Sequence, residues 1–437
     1  MYTVGLYTLG CKVSQYETEA IAEAFEKKGF RVVSFEDVAD VYVINTCTVT
    51  AESDRKCRQV IRRAIHRNPD AITMAVGCYA QTSSEEILEI SGISYVSGSY
   101  GKLRLPEKAL FLLENKGKGI SLPLCETLPL EGTPFEHMCI TRAPRTRVYV
   151  KIEDGCEGRC TYCAIPGARG NVRSKKPEDV LMEIEGLVRG GTREVVLTGI
   201  ETASYGADLG GFRLIDLLEM LDQKSSVERI RLGSLTPEMM GEETVARLSR
   251  LKKLVPHFHL SVQSGTDVIL RGMKRRYNVK MAADALARLR ATIPHVQFTT
   301  DIMVGFPGET EEAFRETYAF CEKARFLDMH VFAYSKRKNT PAAEMADQVP
   351  EAEKRRRSAA LIALRNHMRE EILCSLAEEG KVISVLFETR DKKFFMGHSD
   401  AFVPVRVKTE EDLRGALRLV RPFDVEDGVL CGELIQD

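Results

Sequence analysis

A chain of 437 residues can form two or three domains with separate hydrophobic cores, and its net charge of −1 excludes a protein that binds nucleic acid through its overall charge. It contains twelve cysteines, no apolar run of membrane-spanning length, and a first segment, MYTVGLYTLG, that is unlike a secretory signal. We therefore expect a cytoplasmic protein that uses cysteine for metal binding or catalysis in a reducing compartment.

The first 116 residues alternate apolar runs with helical patterns. Helices are predicted after the first and third of four strands. This alternation predicts an α/β domain with an open parallel sheet and helices on its faces. The predicted strands are Thr3–Leu9, Arg31–Phe35, Val41–Ile44 and Ile72–Val76.

Three cysteines of this part, Cys11, Cys47 and Cys78, each follow the end of a predicted strand. The carboxyl ends of parallel strands form one edge of the sheet, where ligand sites lie. Three thiolates with one vacant position suggest an iron–sulfur cluster, and buried core thiols are the alternative. The residues alone leave both interpretations open, and Cys57, within an Arg-rich helix, is given no role.

The segment Gly117–Pro144 has little periodicity and is predicted to be a linker. Strand and helix patterns then alternate six times, which with right-handed crossovers gives a partial (β/α)6 barrel with its active site at the carboxyl ends of the strands. The predicted strands are Val148–Ile152, Glu194–Thr198, Arg229–Gly233, His257–Val262, Val296–Val304 and Met329–Tyr334. The predicted helices are Pro177–Arg189, Leu214–Asp222, Pro237–Leu251, Met281–Ala291 and Thr310–Lys323.

A cysteine loop, DGCEGRCTYCAIPGARG, follows the first barrel strand. Cys156, Cys160 and Cys163 are separated by three and then two residues, with Tyr162 before the last. Three thiolates on one loop can hold three corners of a cubane iron–sulfur cluster. A zinc site would need a fourth ligand, and no Cys or His nearby provides one. One iron would therefore stay open to an outside molecule; three unrelated thiols are the alternative, which the tight spacing disfavours.

The end of the chain changes pattern. A long charged helix from about Glu351 to Ala377 precedes five short strands, which predict a small antiparallel barrel. Its aromatic side chains could stack on bases beside basic residues that face phosphates, although core packing is the alternative for the aromatics. The residues predicted to bind RNA are Arg390, Lys392, Lys393 and Phe394, with Phe395 and Phe402 as further aromatic candidates.

These motifs together resemble one family. The cysteine loop is similar to that of radical S-adenosylmethionine (SAM) proteins, and LGCKVSQ (9–15) and VINTCTVT (43–50) resemble the methylthiotransferases. Within that family, LGCKVSQYE, INTCTVTAESDRK and LTGIETASYG look most like the threonylcarbamoyladenosine tRNA methylthiotransferases, the MtaB group. The resemblance covers essentially the whole chain. It departs at Ala333, where the family often has Pro, and at Asn339, where it often has Gly.

The resemblance implies three domains: an N-terminal methylthiotransferase domain at 1–116, a radical SAM core at 142–371 and a TRAM RNA-binding domain at 374–437. It implies two 4Fe–4S clusters on the six cysteines, with SAM on the open iron of the barrel cluster. The implied reaction modifies carbon two of threonylcarbamoyladenosine next to the tRNA anticodon. It yields 2-methylthio-threonylcarbamoyladenosine and uses a reductant such as flavodoxin or ferredoxin.

The same resemblance places SAM contacts at the strand ends. Glu201 could instead be a solvated carboxylate on the rim, and each of the others could be ordinary core or loop. The implied contacts are Tyr162, Thr198, Gly199, Glu201, Ser234, Gln263, Asp301, Val304, Phe332, Ala333 and Tyr334.

Local charge also fits an RNA partner, although solvated charge balanced by Glu is the alternative. Basic residues concentrate on the helix after Thr50, before the barrel (Arg142, Arg145, Arg147), and after its fourth strand (Arg271, Lys274, Arg275, Arg276). Two rival functions remain. One is a methylthiotransferase acting on isopentenyladenosine tRNA or a ribosomal protein side chain. The other is an electron carrier, although carriers normally close each cluster with four protein ligands.

Overall fold

The structure is a computed structural model that describes residues 1–143 and 145–435. Residue 144, which ends the predicted linker, and residues 436 and 437, which end the predicted C-terminal barrel, lie outside the described residues. None of the helices in the described ranges is long and apolar enough to cross a membrane.

The N-terminal part is a six-stranded parallel sheet with the order β2-β1-β3-β4-β5-β6, which confirms the predicted open sheet. Its central strands β3 and β4 are buried along their whole length, as expected for a sheet covered on both faces. The strands are β1 (Thr3–Thr8), β2 (Arg31–Val33), β3 (Val41–Thr46), β4 (Ile72–Gly77), β5 (Tyr95–Ser97) and β6 (Leu124–Glu126).

Strand β6 corrects the predicted linker, since it adds an edge strand to this sheet from within the segment Gly117–Pro144. Three residues are too few to show a periodic pattern. Helices cover both faces of the sheet, with Ile21, Phe25 and Leu112 in the core of one face and Ile61, Ala64 and Ile87 in that of the other. The helices are α1 (Lys12–Lys27), α2 (Ala51–Arg67), α3 (Cys78–Thr82), α4 (Ser84–Leu88) and α5 (Leu105–Glu114), with a 3₁₀ turn at Lys102–Arg104.

The central part confirms the partial barrel. Its parallel strands follow the orders β11-β10-β7 and β12-β13-β14-β15. The predicted third strand, Arg229–Gly233, corresponds to β11, and a short further strand, β12, follows after one residue. A two-stranded antiparallel pair, β8 with β9, flanks the cysteine loop. The strands are β7 (Arg147–Lys151), β8 (Glu153–Asp154), β9 (Arg173–Ser174), β10 (Glu194–Thr198), β11 (Arg229–Leu232), β12 (Ser234–Leu235), β13 (His257–Gln263), β14 (Gln297–Val304) and β15 (Asp328–Ala333).

The barrel helices match the predicted ones closely. The exception is the predicted helix Pro237–Leu251, which forms a 3₁₀ turn at Pro237–Met239 and then a shorter helix. A second 3₁₀ turn is at Thr202–Ser204. The helices are α6 (Ile165–Arg169), α7 (Pro177–Arg189), α8 (Leu214–Lys224), α9 (Glu242–Leu248), α10 (Asp267–Gly272), α11 (Val279–Thr292), α12 (Glu311–Ala324), α13 (Pro341–Glu344) and α14 (Glu351–Glu379).

Helix α14 packs against both β15 and the C-terminal strands, and so joins the two barrels. The C-terminal strands form the predicted closed barrel in the order β16-β17-β18-β20-β19. Four of the five strand pairings are antiparallel, and the pairing of β18 with β20 is parallel. The parallel pairing arises because β20 forms a hairpin with β19 and closes the barrel beside β18. The strands are β16 (Ile383–Asp391), β17 (Phe394–Ser399), β18 (Pro404–Lys408), β19 (Leu417–Glu426) and β20 (Val429–Leu434).

Candidate active site between two cysteine triads

Cys156, Cys160 and Cys163, here called the barrel triad, lie half-buried at the mouth of the central barrel. The loop wraps its sulfurs around the bare backbone of Gly158. A Cβ atom at this position would come within 3.0 Å of the Cys156 Sγ and 3.9 Å of the Cys160 Sγ. The Gly158 N–H donates to the Cys156 Sγ at 3.2 Å, and Nη1 of Arg275 donates to the Cys160 Sγ at 3.2 Å. Two N–H donors thus point at the sulfurs of this loop.

Cys11, Cys47 and Cys78, here called the N-terminal triad, lie at one edge of the parallel sheet, as the strand ends predict. Cys47 and Cys78 are buried, and Cys11 is exposed at the start of α1. Gly10 has a φ of +122°, and a Cβ there would meet the Cys47 Sγ at 3.2 Å, so the first strand end approaches the second because residue 10 has no side chain. Nε of Arg169 donates to the Cys78 Sγ at 3.0 Å.

Cys57, to which the sequence analysis gave no role, forms hydrogen bonds with the backbone of Cys47 in this triad. The Cys47 N–H donates to the Cys57 Sγ at 3.4 Å, and the Cys57 thiol donates back to the Cys47 carbonyl at 3.4 Å. Cys57 is fully buried, and its burial raises the pKa of this thiol to about 12. It therefore acts as a thiol that holds the Cys47 backbone, and its side chain belongs to the sheet core.

The donor set of each triad fits a multi-iron cluster better than a single ion. Within the described ranges, no three His, Cys, Asp or Glu side chains are placed to hold one metal ion. A cubane offers each cysteine a separate iron corner, so its ligands need not converge on a point. Burial raises the pKa values of Cys47 and Cys163 to about 11 each, so both thiols need a cation to become thiolates.

A buried charge network connects the N-terminal triad with the loop of the barrel triad. Arg169, which contacts Cys78, also pairs with Glu17 of α1 and Asp154 at the start of the cysteine loop. The Lys151 Nζ lies 2.8 Å from Glu17 and 2.7 Å from Asp154, and Lys102 also pairs with Glu17. Against the effect of burial, Arg169 and the two lysines hold the pKa of Glu17 well below its usual value. The network therefore fixes the N-terminal sheet against the cysteine loop.

A cavity of about 390 Å³, here called the Cys163 cavity, lies beside the barrel triad, and its volume suits a small-molecule cofactor. Val49 and Thr50 of the N-terminal part form one wall. Phe306, buried in the turn after β14, packs edge-on against Tyr162 and Tyr334 behind another wall. Six of the predicted SAM contacts line this cavity: Tyr162, Gln263, Asp301, Phe332, Ala333 and Tyr334.

Two of these side chains are held in unusual states. Gln263 has a φ of +66° and a buried Oε1 without a hydrogen-bond partner, a combination of strain and an unmet acceptor that points to a ligand. The Asp301 carboxylate accepts from Nε2 of His259 at 2.9 Å and from Nδ1 of His330 at 3.2 Å. Against the effect of burial, these hydrogen bonds hold the pKa of Asp301 below its usual value.

Five predicted SAM contacts do not line the cavity. Thr198, Gly199 and Glu201 lie on the other side of the barrel triad, where the Cys156 thiol donates to Glu201 at 3.0 Å and the Glu201 N–H donates to Glu153 at 2.9 Å. Ser234 is exposed on β12, and Val304 is packed in the barrel core. Their roles toward SAM stay predictions.

Comparison with known proteins adds independent evidence. The radical SAM superfamily model matches residues 150–321, and that of uncharacterized protein family UPF0004 matches residues 3–98. A threonylcarbamoyladenosine tRNA methylthiotransferase, MtaB of Bacillus subtilis (strain 168), is 41% identical over 96% of this chain and 94% of its own length. A tRNA-2-methylthio-N(6)-dimethylallyladenosine synthase of Carboxydothermus hydrogenoformans is 36% identical over 89% of this chain and 88% of its own length.

The chain belongs to the radical SAM tRNA methylthiotransferase family. Membership implies SAM and 4Fe–4S clusters as cofactors, as the resemblance of the cysteine motifs implies. Among solved structures, a radical SAM methyltransferase, TsrM of Kitasatospora setae, has a TM-score of 0.58 at 18% identity and covers 78% of this chain and 74% of its own. That similarity shows the shared fold.

The two departures from the methylthiotransferase pattern lie in or next to the loop after the sixth barrel strand. Asn339 has a φ of +61°, so asparagine adopts the left-handed conformation that glycine would supply. The loop also docks on α2: Ser335 Oγ accepts from the Ala51 N–H at 3.2 Å, and Arg337 donates to Asp54 at 2.5 Å. The substituted loop therefore still joins the barrel to the N-terminal part.

Only some of the residues predicted to bind RNA are free to contact it at the surface. Lys392 and Lys393 are exposed in the β16–β17 turn, Arg390 pairs with Glu410 at 3.3 Å, and Phe394 lies half-buried with the Arg406 guanidinium 5.0 Å from its ring. The prediction that Phe395 stacks on a base is wrong, because this side chain is fully buried in the core of the small barrel.

Phe402 is likewise covered, by guanidinium groups and imidazole rings on its two faces. Arg275 was predicted to lie in a phosphate-facing cluster, but it faces a cysteine sulfur. Neither position could be judged from the sequence, because both depend on contacts with distant segments.

Proposed function

We propose that this chain is a cytoplasmic enzyme that places a methylthio group on carbon two of threonylcarbamoyladenosine next to the tRNA anticodon. The observation that carries this proposal is the pair of three-cysteine sets, joined by a buried charge network, in a chain 41% identical over nearly its whole length to an enzyme named for that nucleoside. A carbon–hydrogen bond at this carbon has no acidic proton, so acid–base side chains cannot open it.

Each triad would hold one 4Fe–4S cluster through its three thiolates. Such a cluster supplies an electron and an open iron site. Around it, the Arg275 guanidinium stabilises charge on Cys160, as Arg169 does on Cys78. A reductant of the flavodoxin or ferredoxin class would supply the electron from outside.

The Cys163 cavity would bind SAM. Gln263 offers an unpaired acceptor to a donor on this cofactor, and Asp301, fixed by two histidines, offers a second one. Phe332 and Tyr334 cover the cavity with apolar surface, and Phe306 supports that wall, so the side chains exclude water from the reacting atoms.

Mass spectrometry of tRNA nucleosides from cells lacking this protein tests the proposal. We expect the 2-methylthio derivative of threonylcarbamoyladenosine to disappear while threonylcarbamoyladenosine itself remains. Expression of the wild-type chain should restore it, and expression of Cys160→Ala should not. The second candidate, supported by the 36% identical relative, is methylthiolation of dimethylallyladenosine. Loss of that derivative instead would replace the first assignment.

A further inference from the structure

A second and larger cavity, of about 730 Å³, lies between the central barrel strands and the C-terminal barrel. We call it the cationic cavity. Glu388 is the single acidic residue among the described residues that line it. Six lining side chains are Lys or Arg: Lys12, Arg145, Arg147, Arg193, Arg231 and Arg414. Five of these cations pair with carboxylates, but only the partner of Arg147, Glu388, itself lines the cavity. The wall that faces the cavity is therefore mainly cationic, which favours an anionic ligand.

Three side chains that line the cavity carry a buried nitrogen without a hydrogen-bond partner. Arg231 is 3% exposed and pairs through Nε with Glu194 at 2.7 Å, but its Nη1 has no partner. Nε of Arg147 and Nδ1 of His257 are also buried and unpaired. The two guanidinium nitrogens are charged donors, and native proteins rarely leave buried charged donors unmet. The pair therefore points to an acceptor that residues 1–143 and 145–435 do not supply.

The ring of Phe402 holds these groups in place. The guanidinium carbons of Arg147 and Arg231 each lie 5.0 Å from its centroid, and the His257 ring stacks on it at 4.7 Å. Phe402 has a φ of +70°, a conformation that a bulky residue adopts only under constraint from its surroundings. The donors are thus fixed before a ligand arrives, which lowers the entropy cost of binding.

The cationic cavity also lies below the Cys163 cavity in the same barrel. His259 lines the cationic cavity and donates from Nε2 to Asp301, which lines the Cys163 cavity. Its rim is open to solvent through Arg145 and Arg193, which precede two barrel strands, and Arg414 of the C-terminal barrel. An anion bound here would therefore reach from the predicted RNA-binding domain toward the reaction site.

We propose that the cationic cavity binds a phosphate group, and that this phosphate belongs to the RNA substrate. Several cations around one pocket suit a phosphate better than a single carboxylate. The RNA source follows from the contribution of the C-terminal barrel to the rim, and it rests on the proposed function. The phosphate site itself rests on the unpaired donors and is independent of the proposed function.

Binding of inorganic phosphate to the full-length, cluster-loaded protein tests the site. Calorimetry in buffers matched to chloride at equal ionic strength should show phosphate-specific binding. Arg231→Gln should weaken it about 10-fold or more, as expected when a charge-assisted hydrogen bond is lost. The exposed rim variant Arg193→Ala should weaken it about 3-fold. Arg315→Ala, a similar change on the exposed face of α12, is the matched control and should have no effect.

Arg231→Gln removes a partner of buried Glu194 and could prevent folding. Arg193→Ala keeps the test decisive, because the ion pair that it removes, with Glu228, lies at the surface. Absence of phosphate-specific binding by the wild type overturns the site. Equal losses in Arg193→Ala and Arg315→Ala overturn it as well.

The RNA source is tested with an anticodon stem-loop RNA. Arg193→Ala should lower its affinity and the slope of affinity against salt, and phosphate should compete with the RNA. If phosphate binding depends on Arg193 while the RNA affinity of Arg193→Ala is unchanged, the RNA source is overturned. The cavity would then be assigned to a free phosphate ester such as AMP. The phosphate measurement needs no tRNA modification, so it separates failure of this site from failure of the proposed function.

Discussion

The barrel triad lies on one short loop of the chain, whereas the N-terminal triad is assembled from three strand ends of a parallel sheet. The loop needs only local contacts, such as those around Gly158, to arrange its sulfurs. The sheet edge needs the whole N-terminal part to be folded before Cys11 approaches Cys47. One site therefore depends on a motif and the other on tertiary structure.

Their surroundings differ in the same sense. The barrel triad is half-buried beside the Cys163 cavity, while two of the three N-terminal cysteines are buried and supported by Cys57 and Arg169. A half-buried site next to the proposed SAM cavity suits electron transfer to SAM. A site on a separate sheet suits the presentation of sulfur. Variants of the two triads should accordingly fail in different ways.

The largest effect is expected at the barrel triad. Cys160→Ala should abolish formation of 5′-deoxyadenosine from SAM, because the cluster loses one of its three protein ligands. The assay is anaerobic, with dithionite, SAM and tRNA, and reads deoxyadenosine by mass spectrometry. Cys125→Ala, at an exposed cysteine of β6, is the control and should match the wild type. Deoxyadenosine from Cys160→Ala would refute the assignment of the radical site.

Removal of the N-terminal triad should stop product formation without stopping SAM cleavage. The combined variant Cys11→Ala, Cys47→Ala, Cys78→Ala should lower iron from about eight to about four per chain. Deoxyadenosine should still form, more slowly, because the cluster-free sheet edge loosens. No methylthiolated nucleoside should appear in the same assay. Full iron content in this variant would contradict a second cluster. Any methylthio product would contradict the role of that cluster in presenting sulfur.

Arg169 and Arg275 each donate to one triad sulfur, but they should differ in their effect on stability. Arg169→Gln leaves buried Glu17 and Asp154 short of a partner, and we expect a loss of about 3 kcal/mol in the free energy of unfolding. Among the described residues, Arg275→Gln removes side-chain contacts to Cys160 and Tyr277, and it leaves no buried carboxylate without a partner, so its cost should be smaller. Anaerobic urea unfolding measures both. A similar or larger loss for Arg275→Gln would mean that the buried network does not join the two parts.

The same contrast explains what could be predicted from the sequence. Residue spacing identified the barrel triad, and strand ends placed Cys11, Cys47 and Cys78 on one edge. The role of Arg169 was missed, Arg275 was assigned to a phosphate-facing cluster and Cys57 was given no role. Their partners are distant in the chain or are backbone atoms, which no periodic pattern reveals. Strand β6 was missed since its three residues gain strand structure only from pairing with β5. Phe402 was misjudged because its neighbours come from the central barrel.

The smallest effect should arise far from both triads, at the exposed turn between β16 and β17. Lys392→Ala with Lys393→Ala removes two charges that face solvent, and loss of phosphate contacts should lower tRNA affinity about 2- to 5-fold and flatten its salt dependence. Iron content and SAM cleavage without tRNA should not change, because neither lysine is near a cysteine triad. Lys224→Ala with Lys323→Ala, on exposed ends of α8 and α12, is the matched control for lost charge. Filter binding at several salt concentrations distinguishes the two variants. Equal slopes for both would show that this turn does not contact RNA and that the small barrel contributes through another face.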